Sequence, residues 1–160
     1  MRTEQEVTEA INNYGDTIRR ICLVHLKNQA DTEDIFQNTF LKYTLSDVVF
    51  EDEEHQKAWL IRVAVNSCKD LLKSAFRRHT VALDELINQP AVIDNEHKEI
   101  LEAVLSLPNK YKDVIYLFFY EGYSAVEISG ILGKNVNTIY TRLSRAKLLL
   151  KDILGGEDYE

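Results

Sequence analysis

The sequence predicts an all-α protein: two small helical domains joined by an acidic linker. Apolar residues recur at steps of three and four nearly throughout, which is the helical period, and no stretch alternates in strand fashion. Only two prolines and six glycines punctuate the 160 residues, too few for a turn-rich β architecture. The period fails at residues 79–97, which contain Pro90 and a run of acids, and this is where a linker is expected. The implied division is 1–78, 79–97 and 98–156.

Val7, Ile11, Tyr14, Ile18 and Ile21 share one stripe, so an amphipathic helix is expected over residues 4–27. Asn28-Gln29-Ala30 breaks it. Asp31 is the expected N-cap of a second helix, with Glu33 and Asp34 in the first turn, where the helix dipole favours acids. Phe36, Phe40 and Tyr43 line that helix's apolar face, and residues 46–55 read as an acidic loop around Phe50. A third helix is expected from Gln56 to Arg78, with Trp59, Leu60, Val63, Ala64, Leu71, Leu72 and Ala75 turned inward. Beyond the linker, Ile100, Leu101, Val104 and Leu107 mark a short helix stopped by Pro108, because proline disfavours the helical state of its predecessor. Residues 109–121 form the next, closed by Gly122. Ser124-Ala-Val-Glu127 is a capping box that starts another helix, ending at Gly133. Asn135 then caps a last helix whose buried positions are Val136, Ile139, Leu143, Ala146 and Leu150.

The net charge of −7 is divided unevenly. Residues 31–54 carry eight acids against one lysine, and residues 79–103 six acids against one lysine. Residues 57–78 carry six bases against one acid, and residues 134–151 five bases and no acid. Such alternation suits a protein that meets DNA with some faces and a basic protein surface with others. No apolar run approaches the roughly 18 residues needed to cross a bilayer, and the opening MRTEQEVTEA lacks a signal peptide's apolar stretch. Membrane insertion and secretion are therefore not expected. Two cysteines, Cys22 and Cys68, make no disulfide framework and fit a reduced, cytoplasmic setting.

Two short helices, a glycine turn and a polar, basic outer face on the second describe a helix-turn-helix. That outer face holds Asn137, Tyr140, Thr141, Ser144, Arg145 and Leu148. Arg142, Arg145 and Lys147 have the charge to neutralise phosphates, while Thr141, Ser144 and Arg145 have the chemistry to read base edges. On the third helix Arg62, Asn66, Lys69, Lys73 and Arg77 recur at steps of four and three. They form one basic stripe suited to a nucleic-acid backbone, with an asparagine able to bond a base edge. Cys22 and His25 sit one helical turn apart, but two ligands do not make a metal site. No glycine-rich phosphate loop, nucleophile elbow or paired carboxylates in an apolar context occur, so neither a catalytic role nor a cofactor is expected.

These segments resemble a family. The run from Asp31 to Lys42 looks like the acidic helix of bacterial RNA polymerase sigma factors, which binds the clamp helices of the β′ subunit. Ala58 to Asn66 resembles their promoter-melting helix. Leu107-Pro108, Glu121 to Gly133 and Thr138 to Ala146 resemble sigma domain four. The short length is similar to the extracytoplasmic-function (ECF) subgroup. The resemblance implies that Asp34, Gln37 and Asn38 contact core polymerase, Asn38 replacing the acid usual there. It implies that Phe50 and Asn66 lie around the pocket for a flipped −10 base, with Arg62, Lys69, Lys73 and Arg77 on the same DNA. Phe50 has a second reading, a ring folded back onto the core. Asn137, Thr138, Tyr140, Thr141, Arg142, Ser144 and Arg145 would face the −35 element. Core RNA polymerase (β′ clamp helices and β subunit), promoter DNA and an anti-sigma protein are the implied partners. The alternative is a stand-alone helix-turn-helix regulator, although that class usually carries an α/β receiver domain and no strand pattern occurs here.

Overall fold

The computed structural model describes residues 1–74 and 98–155, and it divides the chain into two compact units, Met1–Ala82 and Leu83–Glu160. All regular structure among the described residues is helical. The expected linker, Ala75 and Arg77 lie outside the described residues.

Three helices build the first unit: α1 (Glu4–Leu26), α2 (Gln29–Leu45) and α3 (Glu53–Ser74), each packed on the other two. Their inward stripes meet in a core of Ile18, Ile21, Cys22, Leu26, Phe36, Phe40, Leu60, Ile61, Ala64 and Cys68. Burying each isoleucine, leucine or phenylalanine of this set contributes about 1.5–3 kcal/mol relative to exposure. Within the α1 stripe Ile11 is left 37% exposed. Thr3 caps α1 by accepting from the Glu6 amide at 3.1 Å. Arg19 ties α1 to α2: it grips Glu33 at 3.0 Å and lies 4.1 Å over the Phe36 ring.

The start of α2 corrects the sequence reading. Its N-cap is Asn28, whose Oδ1 accepts from the Asp31 amide at 2.8 Å while its Nδ2 donates to the Asp31 carboxylate at 2.9 Å. The physical reason is the turn before it. Lys27 takes a left-handed conformation, φ 61°, and closes α1 through its amide to the Leu23 carbonyl, so only Lys27 and Asn28 separate the helices and Asn28 falls at the cap. Burial lowers the Lys27 amine from its ordinary range. Similarly α3 begins at Glu53, before Gln56, because Asp52 accepts from the His55 amide at 2.8 Å.

The second unit contains α4 (Lys98–Leu105), α5 (Asn109–Ile115), α6 (Ala125–Leu132) and α7 (Val136–Ile153). Helix α7 is its spine, packed by α4, α5 and α6. Pro108 opens α5 as well as ending its predecessor: its carbonyl accepts from the Tyr111 and Lys112 amides at 2.9 and 3.0 Å. The helix expected over 109–121 changes character midway. Tyr116–Tyr120 form a π-helical turn, closed by the Glu121 amide on the Tyr116 carbonyl at 3.2 Å and by the Tyr116 hydroxyl on Glu121 at 2.8 Å. That turn keeps Tyr116 and Leu117 inside and puts Phe119 and Tyr120 outside. Gly122, at φ 76°, then reverses the chain. The capping box at Ser124 and Glu127 is present in both directions, 3.1 and 2.9 Å. Gly133 closes α6 at φ 67°, and Asn135 caps α7 by accepting from Asn137 at 2.8 Å.

Because Asn28, not Asp31, is the cap, Asn28→Ala should destabilise the first unit by about 1 kcal/mol. Asp31→Ala should cost less, since it removes an acid facing the dipole. Denaturant titration followed by fluorescence of Trp59, the chain's single tryptophan, reads this unit directly. A larger loss from Asp31→Ala would return the cap to Asp31.

Candidate nucleic-acid interface

On α2, Ile35, Phe36, Thr39 and Phe40 turn inward, and this forces Asp34 and Gln37 into solvent with Asn38 half-buried beside them. The same outer face continues to Leu41, 55% exposed, an apolar position that periodicity alone assigns no partner. An acid, two amides and a leucine at helical spacing offer a flat face able to meet a basic, partly apolar surface.

On α3, burial of Leu60, Ile61, Ala64, Val65 and Cys68 leaves Arg62, Asn66 and Lys73 exposed and Lys69 half-buried. The stripe read from the sequence is therefore one solvent-facing row as far as Ser74. Beside it Lys42 donates to Ser67 at 3.3 Å.

The loop of residues 46–52 joins α2 to α3. Its Phe50 ring folds back onto Tyr43 (centroids 6.2 Å apart), Trp59 (5.7 Å) and His55 (5.2 Å). In that position it also lines an open depression of about 460 Å³, with Arg2, Glu6, Tyr43, Val48 and Gln56 among the other walls. The ring is thus both packed on the body and presented to a cavity. Asn66 does not line this depression; it lies two helical turns beyond Trp59, about 10 Å along the axis. Burial pushes the Tyr43 phenol above its ordinary value, against the Arg2 guanidinium and a 2.6 Å bond from Gln56 that both pull it down. It remains a neutral hydroxyl at physiological pH.

In the second unit, Ile139, Leu143 and Ala146 are buried on α7, with Val136 and Leu150 half-buried at its ends. The opposite side exposes Asn137, Tyr140, Thr141, Ser144 and Arg145, with Thr138 and Arg142 half-buried at the margins. The Thr141 hydroxyl donates to the Asn137 carbonyl at 3.0 Å, which leaves its lone pairs free to accept. A depression of about 360 Å³ separates Asn137, Thr141, Arg142 and Arg145 from Lys110 and Tyr111 at the start of α5. Lys110 extends the basic surface, a contribution the sequence reading missed because α5 carries no basic periodicity. Lys147 is turned elsewhere, 5.6 Å over Phe118 and 5.7 Å over Phe119.

Cys22 and His25 are both buried, and the His25 ring donates to the Ile21 carbonyl at 2.9 Å. Among the described residues no cluster of three metal-ligating side chains occurs, and no helix is long and apolar enough to cross a membrane.

Two family models match. Sigma-70 region 2 covers residues 10–78, and sigma-70 region 4 covers residues 97–150. The chain is 31% identical over 159 residues to RNA polymerase sigma factor SigV of Bacillus subtilis, spanning 98% of this chain and 95% of that protein. It is 26% identical to ECF RNA polymerase sigma factor SigW of the same organism, spanning 89% of this chain and 86% of that one. Among solved structures it resembles the sigma factor RpoE of Bartonella quintana, crystallised with the anti-sigma factor NepR. There the TM-score is 0.77 at 21% identity, covering 96% of this chain and 99% of that one, a likeness of fold.

Proposed function

The chain belongs to the ECF subgroup of RNA polymerase sigma factors, and we propose that it binds core polymerase and carries it to promoters through two separate DNA-reading surfaces. The observation that carries this reading is the end-to-end match to SigV, which includes both units in the same order. Within it, the α2 face of Asp34, Gln37 and Asn38 docks on the β′ clamp helices. Residues 1–78 form the unit that binds polymerase and the −10 element, residues 79–97 the connection, and residues 98–156 the unit for the −35 element, which also meets the β subunit. Arg62, Asn66, Lys69, Lys73 and Arg77 track the −10 DNA, and Phe50 with its depression receives an unpaired base. Asn137, Thr138, Tyr140, Thr141, Arg142, Ser144 and Arg145 lie in the −35 major groove, where an α-helix fits and base edges are distinguishable. The protein's own chemistry is recognition, and it works in the cytoplasm, where the polymerase is. An anti-sigma protein is its further partner, by likeness to the RpoE complex.

Stacking on an aromatic ring holds single-stranded bases whatever their identity, and hydrogen bonds supply discrimination. The loop of residues 46–52 combines the two in a way a helix face cannot. The α7 face, by contrast, meets paired DNA as one continuous helix capped by Asn135.

A sigma factor and a stand-alone regulator differ in what the isolated chain does. Each basic face is flanked by acids in a chain of net −7, and affinity for duplex DNA depends on phosphate neutralisation and counterion release. Docking on polymerase covers the acidic α2 face and joins two weak sites, which raises the effective concentration of the second. In a mobility-shift titration at physiological salt the chain alone should show negligible promoter-specific binding, and strong specific binding once core polymerase is added. Tight sequence-specific binding by the chain alone would favour the regulator.

Arg145→Ala should cost about 1–3 kcal/mol of promoter binding and relax specificity at one −35 position. Uniform weakening across a panel of −35 substitutions would assign Arg145 to a phosphate instead.

Asp34→Lys should weaken core-polymerase binding at least several-fold while thermal stability moves by no more than about 0.5 kcal/mol, because the position is exposed. A clear fall in melting temperature at unchanged affinity would remove the interface.

A further inference from the structure

Arg2 directly precedes Thr3, the N-cap of α1, yet only 15% of its side chain is exposed. Its backbone amide donates to the Thr44 carbonyl at 2.9 Å. Its Nε donates to the Tyr43 carbonyl at 3.1 Å, and a terminal nitrogen donates to the Val48 carbonyl. The guanidinium carbon lies 4.5 Å from the Tyr43 ring centroid and 5.0 Å from that of Phe50. Glu6 stands 3.8 Å away and balances the charge. One side chain therefore joins the start of α1, the end of α2 and the middle of the loop of residues 46–52.

That loop has few other restraints. Near its start the Val48 amide donates to Ser46, and near its end the Glu51 amide donates to His55, both at 3.1 Å. Between them Val49 is 86% exposed. The stretch from Val48 to Phe50 is held from one side by Arg2 and from the other by the Trp59 and His55 rings. Arginine suits the task because its fork serves two carbonyls while its flat face rests on aromatic rings, a combination lysine cannot reproduce. Its donors are engaged on protein carbonyls, which leaves it poorly placed to act as a phosphate contact.

We propose that Arg2 is a positioning residue for promoter selection, a clamp that holds the loop of residues 46–52 and its Phe50 ring in the shape that receives the unpaired −10 base. This rests on the reading of that loop given above.

The test uses holoenzyme made from the full chain and core polymerase, transcribing a promoter and a panel with single −10 or −35 substitutions. Phe50→Ala serves as the reference for the loop itself. Arg2→Ala should lower discrimination among −10 bases by roughly tenfold, since small misplacements of a recognition group carry large costs. Discrimination at −35 and affinity for core should be unchanged. Arg2→Lys, which keeps the cation but not the fork, should recover part of the loss, and it carries the test if Arg2→Ala does not fold. Unchanged −10 discrimination in Arg2→Ala, with Phe50→Ala impaired, overturns the clamp and leaves the loop's role standing. Unchanged discrimination in both overturns the loop's role and the clamp with it. Parallel losses at −10, at −35 and in core affinity would show a merely structural residue and overturn the proposal too.

Discussion

A helix can bury one stripe, and in units this small every helix must bury it. That constraint shapes all the surfaces described above. Cys68, Ala64 and Ile61 must face α1 and α2, so Arg62, Asn66 and Lys73 have nowhere to go but outward. Phe36 and Phe40 must face α1, so Asp34 and Gln37 point away from it. Ile139, Leu143 and Ala146 must face the second unit's core, and the polar row from Asn137 to Arg145 follows. Core packing thus sets the direction of each recognition group, and the composition of the outer face sets what it recognises.

Charge is distributed on the same scaffold. The acids around Asp34 and those of residues 79–103 outweigh the bases and give the chain its net −7, while the stretches rich in bases are residues 57–78 and 134–151. For a free DNA binder this balance is a handicap, because the acids lower the potential around both basic faces. For a subunit of a larger assembly it is an advantage. The acids answer a basic protein surface, and stray duplex DNA is discouraged until that surface is in place.

What was legible in the sequence was local. The capping box at Ser124, the glycine at 133 and the row along α7 depend on residues a few positions apart, and each lies where the spacing put it. The N-cap of α2 was misread because Asn28 and Asp31 are both good caps three residues apart, and the left-handed Lys27 that decides between them carries no glycine signal. The π-helical turn was invisible because Tyr-Leu-Phe-Phe-Tyr is apolar all round and fits either register. Phe50 stood out as an aromatic in an acidic loop, but its contacts with Arg2 span 48 positions of sequence, and no periodicity reaches that far. Lys110 was missed likewise, since only the packing of α5 on α7 brings it to the same depression as Arg145.

The two proposed recognition surfaces differ in kind, and the difference follows from what each would hold. Paired DNA offers its base edges along a groove that admits a rod, so the best reader is a helix whose ends are fixed and whose side chains project at a constant pitch. Helix α7 meets that need with Asn135 and Gly133 at its head and a buried stripe along its length. An unpaired base offers a flat face and a ring of polar edges, and it needs a concavity. A continuous helix has none, because its own backbone fills its axis. A pocket for such a base therefore requires the chain to leave the helix, and the loop between α2 and α3, with its depression beside Phe50, is the place proposed for it. Leaving the helix gives up the regular hydrogen bonds that hold α7 in place. Side chains must replace them, and here the replacements come from Ser46, Asp52 and His55 at the loop's ends and from Arg2, bonded to the Val48 carbonyl, at its middle. A concavity built this way is only as well defined as the side chains that brace it, which is why, on the proposed reading, a residue so far off in sequence matters to base selection.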